Sequence, residues 1–254
     1  MIIASVVTVP ERTDDFIKTL DDLLQSTILP DYLYVSICKF YPRLNRSFSE
    51  SDISKIEEKL KNYPIPNRIV FYNDDIGPCL KLLTPLNNHE LTSQDNILIF
   101  DDDNGLFPTA LECLVNTLNR CDRDSVYGIM GISNGNYVHG EYIQGGDYYP
   151  VDLLGGYRGV LYPVNTLDLE KLTEWINLFI DGYKSHNMIA MHDDHIFSYY
   201  LKYYKIPSRV VNVYPKNGLN YWPKPNNNGI FQYDRVQESL DVLDEVLKNN
   251  NIQL

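Results

Sequence analysis

The sequence is short of several things, and each shortage narrows the field. Cysteine makes up only 4 of 254 residues, and Cys38, Cys79, Cys113 and Cys121 include no C-x-x-C pair, which argues against a disulfide framework or a zinc site. Three of the four sit in or beside apolar segments, so they read as core thiols of a reducing compartment. Basic residues are outnumbered, with 22 Lys and Arg against 34 Asp and Glu and a net charge of −12. That balance excludes the broad basic face of a nucleic-acid binder and simple adsorption to anionic lipid. An acidic chain that handles phosphates needs a metal ion or locally placed cations.

No stretch reaches the roughly 18 apolar residues of a membrane span. The opening M-I-I-A-S-V-V-T-V-P lacks the length and the basic start of a signal peptide. The expectation is a soluble, cytoplasmic protein. Repeats and linkers are absent too, and composition shows no sign of disorder. Residues 1–254 are therefore expected to form a single domain around one sizeable core.

What the chain does have is a run of three aspartates at the end of an apolar strand, in N-I-L-I-F-D-D-D-N-G-L-F-P from Asn96 to Pro108. Acidic runs in loops are usually solvated surface; here the buried character of Ile97 to Phe100 directly before the run argues for a site. Residues two apart on extended chain point the same way, so Asp101 and Asp103 are placed to share one ligand while Asp102 faces elsewhere. Three adjacent like charges repel unless a cation neutralises them, and an oxygen-only donor set suits Mg²⁺ or Mn²⁺. A calcium loop of the EF-hand type is excluded: with Gly105 in the turn position, Phe100 and Leu111 would have to be ligands.

The rest of the first half alternates strand and helix. Ile2–Val7, Tyr32–Cys38 and Asn67–Tyr72 read as strands. Helical stripes follow at Phe16, Leu20, Leu23 and Leu24, at Ile53, Ile56 and Leu60, at Leu82, Leu83 and Leu86, and at Leu111, Leu114, Val115 and Leu118. Thr13 or Asp14 is expected to cap the first helix, and Ser51-Asp52 to open the second. This order predicts an α/β fold with a central, mainly parallel sheet covered on both sides. Later come a strand at Val126–Ile132, short strands or loops over Ser133–Pro163, and a strand at Arg209–Val213. Helices are expected around Leu167–Gly182, Asp193–Tyr204 and Asp234–Asn249.

Loops that follow strands of one sheet gather on one edge. Thr8–Arg12, Asn73–Lys81, Asp101–Asn104 and the region after Ile132 should therefore meet, the edge where α/β sheets bind ligands. Arg12 and Lys81 suit phosphates or a nucleotide pocket, and Asp74 or Asp75 suits a base or ribose. Each also has a plainer reading: a surface ion pair for Arg12, a solvated helix position for Lys81, and turn formation before Gly77-Pro78 for the aspartates.

Together these segments resemble a known family. The opening S-V-V-T-V-P-E-R-T-D-D-F-I-K-T-L and the segment I-L-I-F-D-D-D-N-G-L-F-P are similar to the first strand and Asp-x-Asp motif of GT-A-fold glycosyltransferases related to family 2. D-L-L-G-G-Y-R-G-V-L-Y-P resembles their loop under the donor sugar, and M-H-D-D-H-I-F-S-Y-Y-L-K-Y-Y-K-I-P their late acidic pair at a helix start. The resemblance covers about Ile2 to Pro207. It implies a Rossmann-like α/β/α sandwich, with residues 1–132 binding a nucleotide sugar and 133–254 the acceptor.

By the same resemblance, Pro10, Glu11 and Arg12 border uracil, while Asp74 or Asp75 and Lys81 complete the nucleotide site. Asp101 and Asp103 hold Mn²⁺ or Mg²⁺ on the diphosphate, and Asp102 reaches ribose or the metal through water. Gly156 and Arg158 lie under the donor sugar. Asp193 or Asp194 is the general base, in a first helical turn that favours its ionised form, and one of the two is an N-cap. His192-Asp193-Asp194-His195 replaces the usual Glu-Asp, so His192 or His195 is a possible third metal ligand. Tyr157, Tyr221 and Trp222 are candidates for stacking on sugars.

The activity implied is metal-dependent transfer from a UDP-sugar donor to a hydroxyl of a glycan or glycoconjugate acceptor, with inversion. A sugar-phosphate nucleotidyltransferase would want a Gly-rich basic loop after the first strand, and Thr8–Thr13 has no glycine. A non-catalytic nucleotide- or glycan-binding module is the rival of a different class.

Overall fold

Strands buried on both faces need largely apolar runs, and three such runs, with a half-exposed edge strand beside them, build the first half of the chain. The computed structural model describes residues 1–121, 123–143, 146–188, 192–213 and 233–254. Strands β1 (Ile2–Val7), β2 (Tyr32–Cys38), β3 (Asn67–Tyr72) and β4 (Asn96–Ile99) alternate with helices α1 (Thr13–Leu24), α2 (Glu50–Lys61), α3 (Leu80–Asn88) and α4 (Ala110–Arg120). Short strands follow: β5 (Val126–Gly128), β6 (Met130–Ser133), β7 (Asn136–His139), β8 (Tyr148–Pro150), β9 (Leu153–Leu154) and β10 (Val160–Pro163). The chain then forms α5 (Leu169–Ser185), α6 (Asp193–Tyr203), β11 (Ser208–Val211) and α7 (Tyr233–Asn249).

The main sheet has eight strands in the order β3-β2-β1-β4-β10-β5-β11-β8. The pairs β3/β2, β2/β1, β1/β4 and β5/β11 are parallel, and β10 runs antiparallel between β4 and β5. The α/β class with a mixed sheet therefore stands. One reversal matters for the site. Val160 lies opposite Ile99, so the start of β10 reaches the same edge as the end of β4.

Successive residues of β4 serve opposite cores. Leu98 and Phe100 pack with Phe16, Leu20, Leu111 and Leu114, while Ile97 and Ile99 pack with Leu82, Phe179 and Phe197. Burying each such side chain contributes about 1.5–3 kcal/mol. Among the described residues no helix is long and apolar enough to cross a membrane.

Three expectations shift. The strand expected over Val126–Ile132 divides at Ile129, whose N–H donates to Gly159 O (3.2 Å) and whose carbonyl accepts from Gly140 (2.9 Å). β5 stays in the main sheet, and β6 joins β7 and β9 in a small sheet. Helix α2 is capped by Ser49, which accepts from Asp52 N, rather than opened at Ser51. Helix α1 has no side-chain cap; the Thr13 hydroxyl donates back to Pro10 O at 3.1 Å.

Candidate active site

The chain leaves β4 through Phe100, which is fully buried, and turns at once. The turn is pressed onto α1. Thr19 Oγ1 donates to Asp102 O (3.0 Å), and a Cβ on Gly105 would lie 2.0 Å from Asp22 Oδ2, so a larger residue there would have to displace the Asp22 side chain.

Because the chain turns at Asp102 and Asp103, the two-residue alternation expected of the aspartates does not hold. Asp102 and Asp103 share one cation: Arg12 Nη1 donates to Asp102 Oδ1 at 2.8 Å and lies 3.1 Å from Asp103 Oδ2. Asp101 turns instead to Lys81 Nζ, at 2.5 Å. The negative charge of the run is thus offset by the protein's own cations. Burial works against the Arg12 charge, but Asp102 and Asp103 outweigh it and keep the guanidinium protonated. Burial lifts the Asp103 carboxyl to about 6 against the pull of Arg12, helped by repulsion from Asp102 and Asp101. Asp102 is raised by the same burial, with Arg12 opposing.

Lys81 is no solvated helix residue. Only 4% of it is exposed, and its ammonium also lies 2.8 Å from Asp193 Oδ2. It therefore ties the end of β4 to the start of α6. Burial disfavours its charge, but Asp101, Asp193 and Asp194 hold its pKa well above the ordinary lysine value.

Asp194 faces another way. Its Oδ1 accepts from Gly156 N at 2.8 Å, and a Cβ at Gly156 would come just as near that oxygen, at 2.8 Å. Ser198 Oγ accepts from Leu154 N (3.1 Å), a second tie between this loop and α6. Asp193 is 6% exposed, whereas Asp194 keeps more surface. Burial, and then repulsion from Asp193, push the Asp194 carboxyl well above the usual range. Asp193 is raised by burial with Lys81 opposing. Neither is the N-cap: His192 holds that position and no side chain caps the helix.

No protein-family model matches the chain, and no curated protein does. Solved structures do match. S. aureus TarS with UDP-GlcNAc superposes with a TM-score of 0.51 at 14% identity, covering 85% of this chain and 56% of that one. GalNAc-T7 with UDP, GalNAc and Mn²⁺ superposes with a TM-score of 0.59 at 13% identity, covering 97% and 49%. The fold is that of the GT-A glycosyltransferases. The chain spans about half the length of these two structures (56% and 49%).

On this GT-A sheet, eight of the expected site residues meet: Arg12, Asp101, Asp102 and Asp103 in one group, and Lys81, Asp193, Asp194 and Gly156 in another, joined through Lys81 to Asp101. Others stand apart. Pro10 is buried in the first loop, and Glu11 pairs with Arg46 at 3.6 Å on the surface. Asp74 is exposed. Asp75 Oδ1 accepts from Gly77 N at 3.0 Å, where Gly77 takes φ 79°, so this aspartate closes a turn. Arg158 is buried, with its guanidinium 5.2 Å from the centre of the Phe107 ring. Tyr221 and Trp222 lie outside the described residues, as does the side chain of Tyr157.

The donors suit a hard divalent ion. Asp101 is the most open of the three aspartates, with 28% of its side chain exposed, and Asp102 Oδ2 is buried without a hydrogen-bond partner. One or two carboxylates plus substrate phosphates suffice for Mg²⁺ or Mn²⁺. The histidines do not extend the set. Among the described residues no group of three or more His, Cys, Asp or Glu is arranged around one point. His192 and His195 meet edge to face instead, with centroids 5.4 Å apart and ring planes at 79°. Sequence reasoning missed Tyr41, whose hydroxyl donates to Thr8 O (2.7 Å) and accepts from Cys38 N (2.8 Å), pinning the first loop. A lone tyrosine in a polar loop carries no signal of that role.

Proposed function

We propose that the chain is a metal-dependent glycosyltransferase, moving a sugar from a UDP-sugar to a hydroxyl of a glycan or glycoconjugate with inversion. In this reading residues 1–132 handle the nucleotide sugar and 133–254 the acceptor. The supporting observation is that the aspartate turn after β4 and the acidic start of α6 share Lys81, at 2.5 and 2.8 Å, on the ligand edge of a GT-A sheet.

Asp101 and Asp103 would hold Mn²⁺ or Mg²⁺. That ion supplies Lewis-acid stabilisation of the UDP leaving group. Arg12 and Lys81 offset part of the negative charge of this edge, so the diphosphate does not meet an unopposed cluster of carboxylates. Pro10 and Glu11 border the base, Asp74 or Asp75 with Asp102 serves the ribose side, and Gly156 with Arg158 lies under the donor sugar.

Asp194 is the base. It keeps surface for an acceptor hydroxyl, and its carboxylate is fixed in place by the bond from Gly156 N at 2.8 Å. Asp193, less exposed and held by Lys81, sets the charge around it.

Calorimetry with UDP, with and without Mn²⁺, tests donor binding, and UDP release from a panel of UDP-sugars tests turnover. Mn²⁺-dependent UDP binding that Asp103→Ala abolishes is expected. Asp194→Asn should bind donor normally and lose about 10²–10⁴-fold in transfer. Unchanged Mn²⁺-dependent affinity in Asp103→Ala would overturn the metal assignment, and binding without turnover would make the chain a binding module.

A further inference from the structure

The small sheet carries a row of aromatic rings in which Tyr137 and Tyr142 are exposed and His139 between them is half-buried. Along β7 the side chains alternate: Val138 packs on the inner core, while Tyr137 and His139, two residues apart, share the outer face. Tyr142 follows in the next turn. Ring centroids are 6.2 Å apart for Tyr137 and His139 and 6.0 Å for His139 and Tyr142, so the three form one continuous row. Tyr137 is 69% and Tyr142 68% exposed, more than any other large hydrophobic side chain described. Exposed aromatic surface grouped in this way marks a recognition surface.

The row is joined to the site by the backbone. His139 pairs with Met130 of β6, and on its other side Met130 O accepts from Gly155 N at 3.0 Å. The next residue, Gly156, holds Asp194. Two strand spacings, roughly 10 Å, separate the start of the row from that loop. Arg158, at the loop's end, is near enough to His139 to add to burial in keeping the imidazole neutral.

We propose that Tyr137, His139 and Tyr142 form a subsite for the carbohydrate chain of the acceptor, stacking on successive sugar rings on the way to Asp194. The inference rests on the glycosyl-transfer reading. Each of the two exposed tyrosine rings offers an apolar face and a polar tip, which suits the C–H faces and hydroxyls of a sugar. No Lys, Arg, Asp or Glu belongs to the row, which favours a neutral glycan over an acidic or basic peptide.

The test is binding of the intact chain to chitohexaose, cellohexaose and maltohexaose, each against its monosaccharide, with Mn²⁺-dependent UDP binding measured alongside. At least one hexasaccharide should bind about tenfold or more tightly than its monosaccharide, and Tyr137→Ala and Tyr142→Ala should each weaken it about threefold to tenfold. UDP affinity should not move in either variant, since both positions are exposed and away from the nucleotide residues. Equal binding of hexasaccharide and monosaccharide in the wild type, or unchanged hexasaccharide binding in both variants, overturns the subsite. So does a dimer in sedimentation that Tyr137→Ala dissociates, which gives the row to a second copy of the chain. Loss of UDP binding with glycan binding intact would instead sink the donor reading and leave the row standing.

Discussion

Replacing Lys81 by methionine keeps the unbranched stem and removes the ammonium, leaving Asp101, Asp193 and Asp194 without the cation that faces them. The lysine side chain is 5% exposed, that of Asp193 9% and that of Asp101 28%. Breaking a buried ion pair by removing one partner costs about 3–5 kcal/mol. The two contacts taken as charge-assisted hydrogen bonds, at about 1.5–3 kcal/mol each, give about 3–6 kcal/mol, which overlaps that range. Water can rehydrate part of Asp101, so the expected loss is about 3 kcal/mol, measurable within a total stability of about 5–15 kcal/mol.

The sign with pH follows from the carboxylates left behind. Without Lys81 the folded pKa values of Asp193 and Asp194, already raised by burial, rise further above the unfolded ones, so the native state binds more protons than the unfolded state and stability falls as pH rises. Urea unfolding should therefore show the full deficit near pH 7.5 and a smaller one near pH 5. Adding Asp193→Asn to Lys81→Met should return part of the loss. A deficit under about 1 kcal/mol near neutral pH, equal deficits at both pH values, or strict additivity in the double variant would refute the argument that Lys81 is a buried counter-ion.

Two further outcomes follow. Gly156→Ala places a methyl 2.8 Å from Asp194 Oδ1; it should break the Gly156 N–H bond at a cost of about 1.5–3 kcal/mol and cost far less when Asp194 is also alanine. Thermal unfolding of the four proteins decides this, and wild-type stability in Gly156→Ala would refute it. Burial, with His192 adding, depresses the His195 imidazole to about 4, so at mildly acid pH the unfolded state binds more protons and stability falls as pH falls from the ordinary histidine range. Over about 1.5 pH units, at about 1.4 kcal/mol each, His195→Gln should gain up to about 2 kcal/mol on the wild type between neutral pH and about pH 5. Asp103, held up to about 6, slopes the opposite way, so the difference between wild type and variant is the quantity to measure; a constant difference would show that His195 is not held neutral.

Local pattern was enough for the elements of the first half. Unbroken apolar runs at Ile2–Val7 and Tyr32–Cys38 became strands over those same residues, because such runs are stable only where both faces are covered. The same pattern placed the aspartates at the end of β4, and the order of motifs along the chain was enough to point to the GT-A fold. Pairing and contact were not legible. Nothing local says that β10 runs antiparallel between β4 and β5 and so carries Gly155–Gly159 to the aspartate edge. The division at Ile129 was hidden because both halves of that stretch are apolar, and the sheet a strand joins depends on its partners. The cations show the limit most clearly: Arg12 meets Asp102 across 90 positions, and Lys81 bridges Asp101 to Asp193. Propensity and periodicity act between neighbours in sequence, whereas the choice of partner for a buried charge depends on distance through space. Only the packed sheet decides that distance.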